Sequence, residues 1–335
     1  MRYYFEGFSI SKNGRSLATL YRNYMNNTFD GPHRYELTVY DIPERSNSSD
    51  LSRAWCTVAV SLSFESHFIG ICAQPLVFES DDTLHCLCNR IKIGTNVQGK
   101  PFYELSPVSQ ANFGSLGELR AFGYSNDCQS LIVYHDHKKS LMRLRVKNMS
   151  LDSAITLTAS SAMAYCISHT GRYVVWRDTT VTSRIFFLQD LVTEKSEPLF
   201  GSEHLAFPAN LNLIFSKDEE CLLGIMSTSA TSDRSPSYIA IWDSFSQAVR
   251  QTCSQQLPRV HGVHFSSRRD PAYLAVGDRW LTVDPMRLDL LVGNVKQIHE
   301  RSSVKCQVSQ DGTQVSILSV GPKRWVYSKT VWSSG

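Results

Sequence analysis

The sequence predicts an all-β protein made of repeated hairpins, and three observations support this. The stretch Cys306–Val320 alternates apolar and polar residues on both sides of Asp311-Gly312, which is the pattern of two strands joined by a tight turn. Looser copies of this hairpin recur along the whole chain. Long segments with helical periodicity are missing from the sequence, where only Ser109–Leu116 and Asp284–Leu291 are weak helix candidates.

The spacing of the hairpins predicts how they assemble. From the second copy onward, successive turns lie roughly 43 to 50 residues apart, which is close to the period of a propeller blade. One hairpin cannot bury its apolar face alone, so several must pack together. We therefore predict a β-propeller of seven four-stranded blades in a single domain, residues 1–335. The predicted blades are 3–60, 75–108, 118–158, 163–200, 208–254, 259–296 and 302–332, with an irregular insertion at 61–74.

Each predicted blade begins with a hairpin and continues with a third strand. In chain order these are Phe8–Leu20 with Tyr35–Asp41, Leu76–Leu87 with Phe102–Leu105, Leu119–Tyr134 with Leu141–Val146, Tyr165–Trp176 with Ile185–Asp190, Leu213–Met226 with Tyr238–Asp243, Val263–Val276 with Trp280–Asp284, and Cys306–Val320 with Arg324–Tyr327. Trp55–Val60 is a candidate outer strand of the first blade. Two candidates for completing the last blade stay open, Tyr3–Phe5 and Lys329–Trp332.

The composition excludes several classes of protein. Hydrophobic residues make up 42% of the chain and the formal net charge is +3, so the chain can form a core and is no polyelectrolyte. The amino terminus does not resemble a secretory signal, and no run of about 18 apolar residues is present, so we expect no transmembrane segment. The nine cysteines are odd in number, and several lie in strand-like apolar runs, which favours free thiols in the cytoplasm or nucleus.

The turns and strand ends resemble a known family. The pattern aromatic-Ser-x-Asp/Asn-Gly, followed by an apolar strand that ends in Asp, is similar to that of WD-repeat propellers, and Ile239–Asp243 matches their signature best. Val39–Asp41, Leu188–Asp190 and Thr282–Asp284 are degraded versions, and the family's Gly-His pair is essentially missing. The divergence resembles that of fungal propellers, some of which follow signalling nucleotide triphosphatases. The resemblance implies a non-catalytic scaffold that binds other macromolecules.

Two histidine pairs are candidates for metal ligation. His135 and His137 would project to one side if both lay on a strand, and could then bind zinc with ligands from elsewhere. We favour a polar turn beside Lys138 and Lys139, because the spacing places no third ligand. His261-Gly-Val-His264 would send its two imidazoles to opposite faces of a strand. We therefore expect no metal site and no cofactor.

One cysteine pair, Cys86 and Cys88, is a further candidate for metal ligation. Cys86 and Cys88 would share one face of a strand, with His85 on the other face and partly solvated. The sequence offers no second pair to complete a zinc site. We therefore predict that the two thiols pack in the core.

Cations concentrate in the loops that join the second strand of each predicted blade to the third. All such loops of a propeller emerge on one face, and here they contain about thirteen cations against about five acids. We predict that this basic face docks an acidic protein segment, with phosphoinositide head groups or nucleic acid as less favoured partners. The loops are Tyr21–Tyr35, Asn89–Pro101, His135–Ser140, Arg177–Arg184, Thr228–Ser237, Gly277–Arg279 and Val320–Arg324; their cations are Arg22, Arg34, Arg90, Lys92, Lys100, Lys138, Lys139, Arg177, Arg184, Arg234, Arg279, Lys323 and Arg324.

Two other functions stay open from the sequence. The first is an enzyme, a hydrolase or lyase with a metal site in a central channel that uses His135 and His137. The second is a sensor domain severed from a larger signalling ATPase. Because no catalytic motif with the required spacing is present in the sequence, we predict that the protein is not an enzyme.

Overall fold

The structure is a computed structural model. The residues that it describes are 3–11, 13, 15–23, 33–41, 57–66, 75–87, 89–95, 97–98, 101–107, 119–135, 137–148, 150–157, 162–178, 186–199, 210–227, 237–243, 249–257, 260–264, 272–276, 279–283, 290–291, 303–308, 314–320 and 325–331. Every regular element in these residues is a β-strand. The predicted all-β class is therefore confirmed for this part of the chain, and it contains no helix that could span a membrane.

The described strands are 2 to 10 residues long. They are β1 Tyr3–Ile10, β2 Ser16–Asn23, β3 His33–Asp41, β4 Thr57–Ser66, β5 Leu76–Phe78, β6 Thr83–Cys86, β7 Asn89–Thr95, β8 Pro101–Pro107, β9 Leu119–Tyr124, β10 Ser130–His135, β11 Ser140–Arg145, β12 Ser150–Thr156, β13 Ala162–Ile167, β14 Tyr173–Asp178, β15 Phe187–Asp190, β16 Ser196–Pro198, β17 Asn210–Phe215, β18 Cys221–Ser227, β19 Ser237–Asp243, β20 Val249–Leu257, β21 Val260–His264, β22 Ala272–Val276, β23 Arg279–Val283, β24 Leu290–Leu291, β25 Ser303–Val308, β26 Gln314–Val320 and β27 Trp325–Val331.

The chain divides into two compact units. The first, Met1–Met163, contains three four-stranded sheets, β1–β4, β5–β8 and β9–β12. The second unit, Ala164–Gly335, begins inside β13 and contains the four-stranded sheets β13–β16, β17–β20 and β21–β24 and the three strands β25–β27. In each sheet the strands are paired in chain order, so each sheet is an antiparallel meander.

A repeated turn explains why the first two strands of several sheets form a hairpin. In four turns a buried serine hydroxyl accepts a hydrogen bond from the backbone N–H five residues later, at 2.9 to 3.0 Å. In three of these turns the Oδ1 of an Asn or Asp accepts from the same hydroxyl and from a backbone N–H two residues further on, which is an Asx turn. The serines are Ser11, Ser125, Ser168 and Ser216.

Alternation along the strands builds a core in each unit. In the first unit, Leu20, Leu37 and Leu84 are fully buried in a cluster formed by the first two sheets. In the second unit, the cluster includes Val175 of β14 and Leu222 of β18. Side chains on one face of a strand pack against the neighbouring sheet, and in β6 and β10 the residues of both faces are buried.

The structure corrects three predicted boundaries in the first unit. The predicted insertion at 61–74 is strand for its first six residues, since β4 continues through Ser66, with Val60 and Leu62 buried. Asn89–Thr95 is strand β7, although we predicted a loop there. The segment Tyr3–Phe5 forms the start of β1 and pairs with β2, so in this structure it completes the first sheet.

Two boundaries in the second unit also differ from the prediction. Leu290–Leu291, the end of a weak helix candidate, is strand β24. Lys329–Val331 continues the third strand of the last described sheet, β27, and is not a separate outer strand. Residues 284–289 of that helix candidate and all of Ser109–Leu116 lie outside the described residues.

Candidate functional site

The first-to-second strand turns of the first unit gather at one edge. The first strands of the three sheets, β1, β5 and β9, are in contact in that order, β1 with β5 and β5 with β9. The backbone N–H of Asn13, in the first turn, donates to Asp81 Oδ1 of the second turn at 2.9 Å. Cys128 Sγ of the third turn donates to the carbonyl of Phe78 at 3.0 Å, at the start of the second turn. Because the strands run up and down, the second-to-third connections must lie at the opposite edge, which we call the connection edge.

The connection edge of the first unit carries exposed positive charge. Arg34 is the second residue of β3 and lies opposite Asn23, the last residue of β2. It is exposed, and its Nε donates to Ser63 Oγ at 2.9 Å. Lys138 is exposed and Lys139 half-buried in the turn between β10 and β11. Arg22, near the end of β2, is 2.8 Å from Glu6 Oε1, so its charge is partly neutralised within the unit.

Two of the predicted cations take other positions. Arg90 and Lys92 lie on β7, opposite His85 and Thr83. The Nε of Arg90 lies 3.3 Å from Glu79 Oε2, beside the turn that follows β5. Lys92 lies at the turn edge, where hydrogen bonds from Ser80 and Thr83 lower the pKa of Asp82 and the lysine charge lowers it further. The predicted loop Asn89–Pro101 therefore does not contribute these two charges to the connection edge.

The remaining predicted cations lie in the second unit or outside the described residues. In the second unit, Arg177 is half-buried near the end of β14, where the second-to-third connection begins, and Arg279 is the first residue of β23. Most residues of the predicted loops Arg177–Arg184 and Gly277–Arg279 lie outside the described residues. Five of the predicted cations lie outside the described residues, namely Lys100, Arg184, Arg234, Lys323 and Arg324.

The structure separates the first histidine pair. β10 ends at His135, which is 3% exposed, whereas His137 is exposed in the following turn, so the two imidazoles do not share a strand face. His135 Nδ1 accepts from the backbone N–H of Lys138 at 3.4 Å. This geometry supports a polar turn and argues against a histidine pair that binds zinc.

The structure also describes residues of the cysteine pair and of the second histidine pair. The strand that we predict through Cys86 and Cys88 ends at Cys86, because Leu87 has a positive φ of 43°, and Cys88 lies outside the described residues. His261 and His264 both lie on β21, with a register irregularity between Val260 and Gly262. Among the described residues, no group of three or more His, Cys, Asp or Glu could hold a metal ion.

The structure shows a buried polar cluster that sequence reasoning missed. His85 is 2% exposed, not partly solvated as predicted, and its Nε2 lies 2.8 Å from Glu79 Oε2. Arg90 approaches the same carboxylate oxygen. Burial lowers the pKa of His85, and the Glu79 hydrogen bond only partly opposes this. Burial would raise the pKa of Glu79, but His85 and Arg90 hold it below its ordinary value.

Comparisons with known proteins bear on the fold only. No family model matches the chain, and no curated protein matches it. Among solved structures, that of the Dos1 propeller matches over 97% of this chain and 77% of its own, with a TM-score of 0.55 and 12% identity. A likeness at this identity shows the fold alone. The all-β fold of this chain, with its four-stranded antiparallel meanders, is therefore similar to that of a β-propeller.

Proposed function

We propose that this chain is a non-catalytic interaction scaffold, a seven-bladed propeller of the WD-repeat type, that docks an acidic protein segment on its basic connection edge. The observation that carries the proposal is the position of Arg34 and Lys138, two exposed cations at second-to-third strand connections of the first unit, Arg34 at the start of β3 and Lys138 in the turn after β10. A rigid edge with several loops suits the docking of a partner, because loops on a fixed framework can present charges in a constant arrangement.

Charge explains the partner class that we propose. Exposed cations on one edge attract an anionic segment from a distance and raise its association rate, although each contact adds only about 0.2 to 1 kcal/mol at the surface. Arg34 and Lys138 are exposed enough to meet such a segment, whereas Arg90 is engaged with Glu79. The proposal places the protein in the cytoplasm or nucleus, where acidic protein segments are available.

A matched pair of double variants tests the proposal. Lys138→Glu/Lys139→Glu reverses two charges at the connection edge, and Lys147→Glu/Lys195→Glu reverses two exposed lysines in third-to-fourth strand turns. Both variants have the same net charge. We expect the first to weaken binding of a glutamate-rich peptide by about three- to tenfold at low salt, and the second to change it little.

The measurement is fluorescence anisotropy of the labelled peptide at two salt concentrations. Vesicles that contain a phosphoinositide and a single-stranded RNA serve as competing probes. Equal losses in the two variants would mean that only net charge matters and would contradict a specific docking edge. Tighter binding of the vesicles or the RNA than of the peptide would contradict the proposed partner class.

A further inference from the structure

His85 lies between the second and third sheets of the first unit. It is on β6, opposite Val77 of β5 on one side and Arg90 of β7 on the other. Its ring also approaches the ring of Tyr124, on β9 of the neighbouring sheet, with 5.8 Å between centroids. Tyr124 is 1% exposed and His85 is 2% exposed. The imidazole is therefore part of the packing between two sheets.

The hydrogen bonds of the His85 ring show which of its two nitrogens carries the proton in the neutral form. Glu79 is held in its ionised form, and an ionised carboxylate can only accept hydrogen bonds. Nε2, at 2.8 Å from Glu79 Oε2, must therefore carry the proton. Nδ1 is then a bare lone pair, and it is buried without a hydrogen-bond partner within the described part of the chain.

Protonation of the imidazole would add an unsatisfied hydrogen-bond donor to this buried site. A second proton goes to Nδ1 and creates a buried N–H that has no acceptor in place. An unsatisfied buried donor is costly, and so is a buried charge. The charged and titratable groups that face the ring are Glu79, after β5, and Arg90, on β7, while β9 contributes the phenol of Tyr124. Glu79 favours the imidazolium, and the nearby guanidinium of Arg90 disfavours it.

We propose that His85 is an acid-sensitive packing contact between the second and third sheets, and that mild acidification loosens the packing of β6 against β9. The neutral ring bridges Glu79 and Tyr124, and the protonated ring must find an acceptor for Nδ1 by moving away from this position. The inference concerns the fold of the first unit and does not depend on the proposed docking edge.

The direction of the pH effect follows from the burial of the ring. Folding depresses the pKa of His85 below its ordinary value of 6.5. The unfolded chain therefore binds this proton first as the pH falls, so stability is lost as the pH drops from about 7 through the ordinary histidine value. Glu79 has a depressed pKa, so its own contribution is lost only below its ordinary value of 4.5, in a separate and more acidic window.

The test compares the urea midpoint of unfolding at about pH 7.5 and about pH 5.5 for the wild type, His85→Gln and His137→Gln. Glutamine can donate to Glu79 from nearly the same position as Nε2 and does not titrate. His137→Gln removes an exposed histidine of the same unit as a matched control. We expect acid to lower the midpoint of the wild type and of His137→Gln more than that of His85→Gln. Hydrogen exchange of the β6 amides should accelerate with acid more in the wild type than in His85→Gln, after correction for intrinsic rates.

A second variant keeps the test decisive if His85→Gln folds poorly. Glu79→Gln retains an acceptor for Nε2 but removes the negative charge that favours the imidazolium, so we expect a larger acid-induced loss than in the wild type. Equal acid losses in the wild type and His85→Gln would overturn the proposal. A smaller acid loss in Glu79→Gln would overturn it as well, because it would mean that the carboxylate and not the imidazole responds to pH.

Discussion

The serine of the repeated turn makes a specific prediction for Ser168. Its hydroxyl accepts a hydrogen bond at 2.9 Å from the backbone N–H of Tyr173, and Ser168 is 0% exposed. The backbone of the same turn adds a bond from Ser168 N–H to the Tyr173 carbonyl and one from Gly171 N–H to the Ser168 carbonyl. Replacing Ser168 with alanine removes only the hydroxyl, so the backbone of the turn stays intact while the N–H of Tyr173 loses this acceptor.

The size of the effect follows from burial. A buried donor left without its acceptor costs about 1–3 kcal/mol, whereas a substitution at an exposed site usually changes the free energy of unfolding by about 0.5 kcal/mol or less. We expect Ser168→Ala to lower the free energy of unfolding by about 2 kcal/mol, since Tyr173 is itself only 5% exposed. The assay is urea unfolding, followed by fluorescence, at constant pH and protein concentration.

The control is another serine hydroxyl that lies in a solvent-accessible turn. Ser150 Oγ donates to Asn148 Oδ1 at 2.8 Å in an exposed turn. Ser150→Ala should therefore change the free energy of unfolding by about 0.5 kcal/mol or less. If the two variants lose the same amount, the buried hydroxyl of Ser168 does not stabilise the turn, and the repeated serine contact would be a geometric coincidence.

Two further predictions concern ionisable groups of the second unit. Burial would raise the pKa of Asp190, but Arg172, which donates to it at 2.8 Å, and the backbone N–H of Val192 hold it below 3.8. Asp190→Asn should therefore lower the free energy of unfolding at neutral pH. It should also make this free energy fall less steeply as the pH drops below about 4, because the carboxyl loses its contribution only as the pH falls through its lowered folded pKa; an unchanged acid limb in urea titrations would contradict this. Burial raises the pKa of Cys166 to about 12. Maleimide should therefore label this thiol at least about a hundredfold more slowly in the native protein than in urea. Equal labelling rates, measured by mass spectrometry, would contradict its burial.

The turns and most of the strands could be predicted because their signals are local. The Ser-x-Asp pattern specifies an Asx turn within six residues, and Ser125-Asn-Asp127 folds as that pattern predicts. Two of the described turns lack the glycine that usually follows this pattern. Cys128 and Glu219 take the left-handed position that favours glycine, with φ of 60° in each, whereas Gly171 fills it in a third turn. Local hydrogen bonds therefore hold the turn even where the best residue for that φ is absent.

The missed strand β7 has a physical explanation. Its alternation is clear in the sequence, since Ile91 is buried between the exposed Arg90 and Lys92. The turn before it has no glycine, asparagine or proline within Leu87-Cys88, so the usual signal that separates two strands was lacking. Leu87 takes a positive φ of 43° and its N–H donates to the carbonyl of Pro75 at 3.1 Å. A contact twelve positions earlier in the chain stabilises this turn, and such a contact leaves no local pattern.

The burial of His85 was missed because period-2 alternation assumes one solvated face. All four residues of β6 are buried, so its two faces both lie in the packed interior. In such a strand, a polar side chain between apolar neighbours is not necessarily exposed to solvent. Its hydrogen-bond partners then determine whether it can be buried. Glu79 lies across the turn from His85, six positions earlier, and could have been recognised as a partner once the hairpin was predicted.

The contacts between sheets are the part of the structure that a local pattern cannot reveal. Phe78 ends the short strand β5, which is an edge strand of the sheet β5–β8, so no further strand of that sheet pairs with its free side. Its N–H donates to Ser9 Oγ of the first sheet at 3.2 Å, and its carbonyl accepts from Cys128 Sγ of the third sheet at 3.0 Å. Unpaired buried backbone groups are costly, so side chains from both neighbours replace the missing strand. The partners lie 69 and 50 positions away in the sequence, and the exactness of their spacing depends on every intervening loop. The packing of neighbouring sheets therefore depends on hydrogen bonds of this kind as well as on apolar burial, which is why hairpins could be predicted singly while their mutual contacts could not.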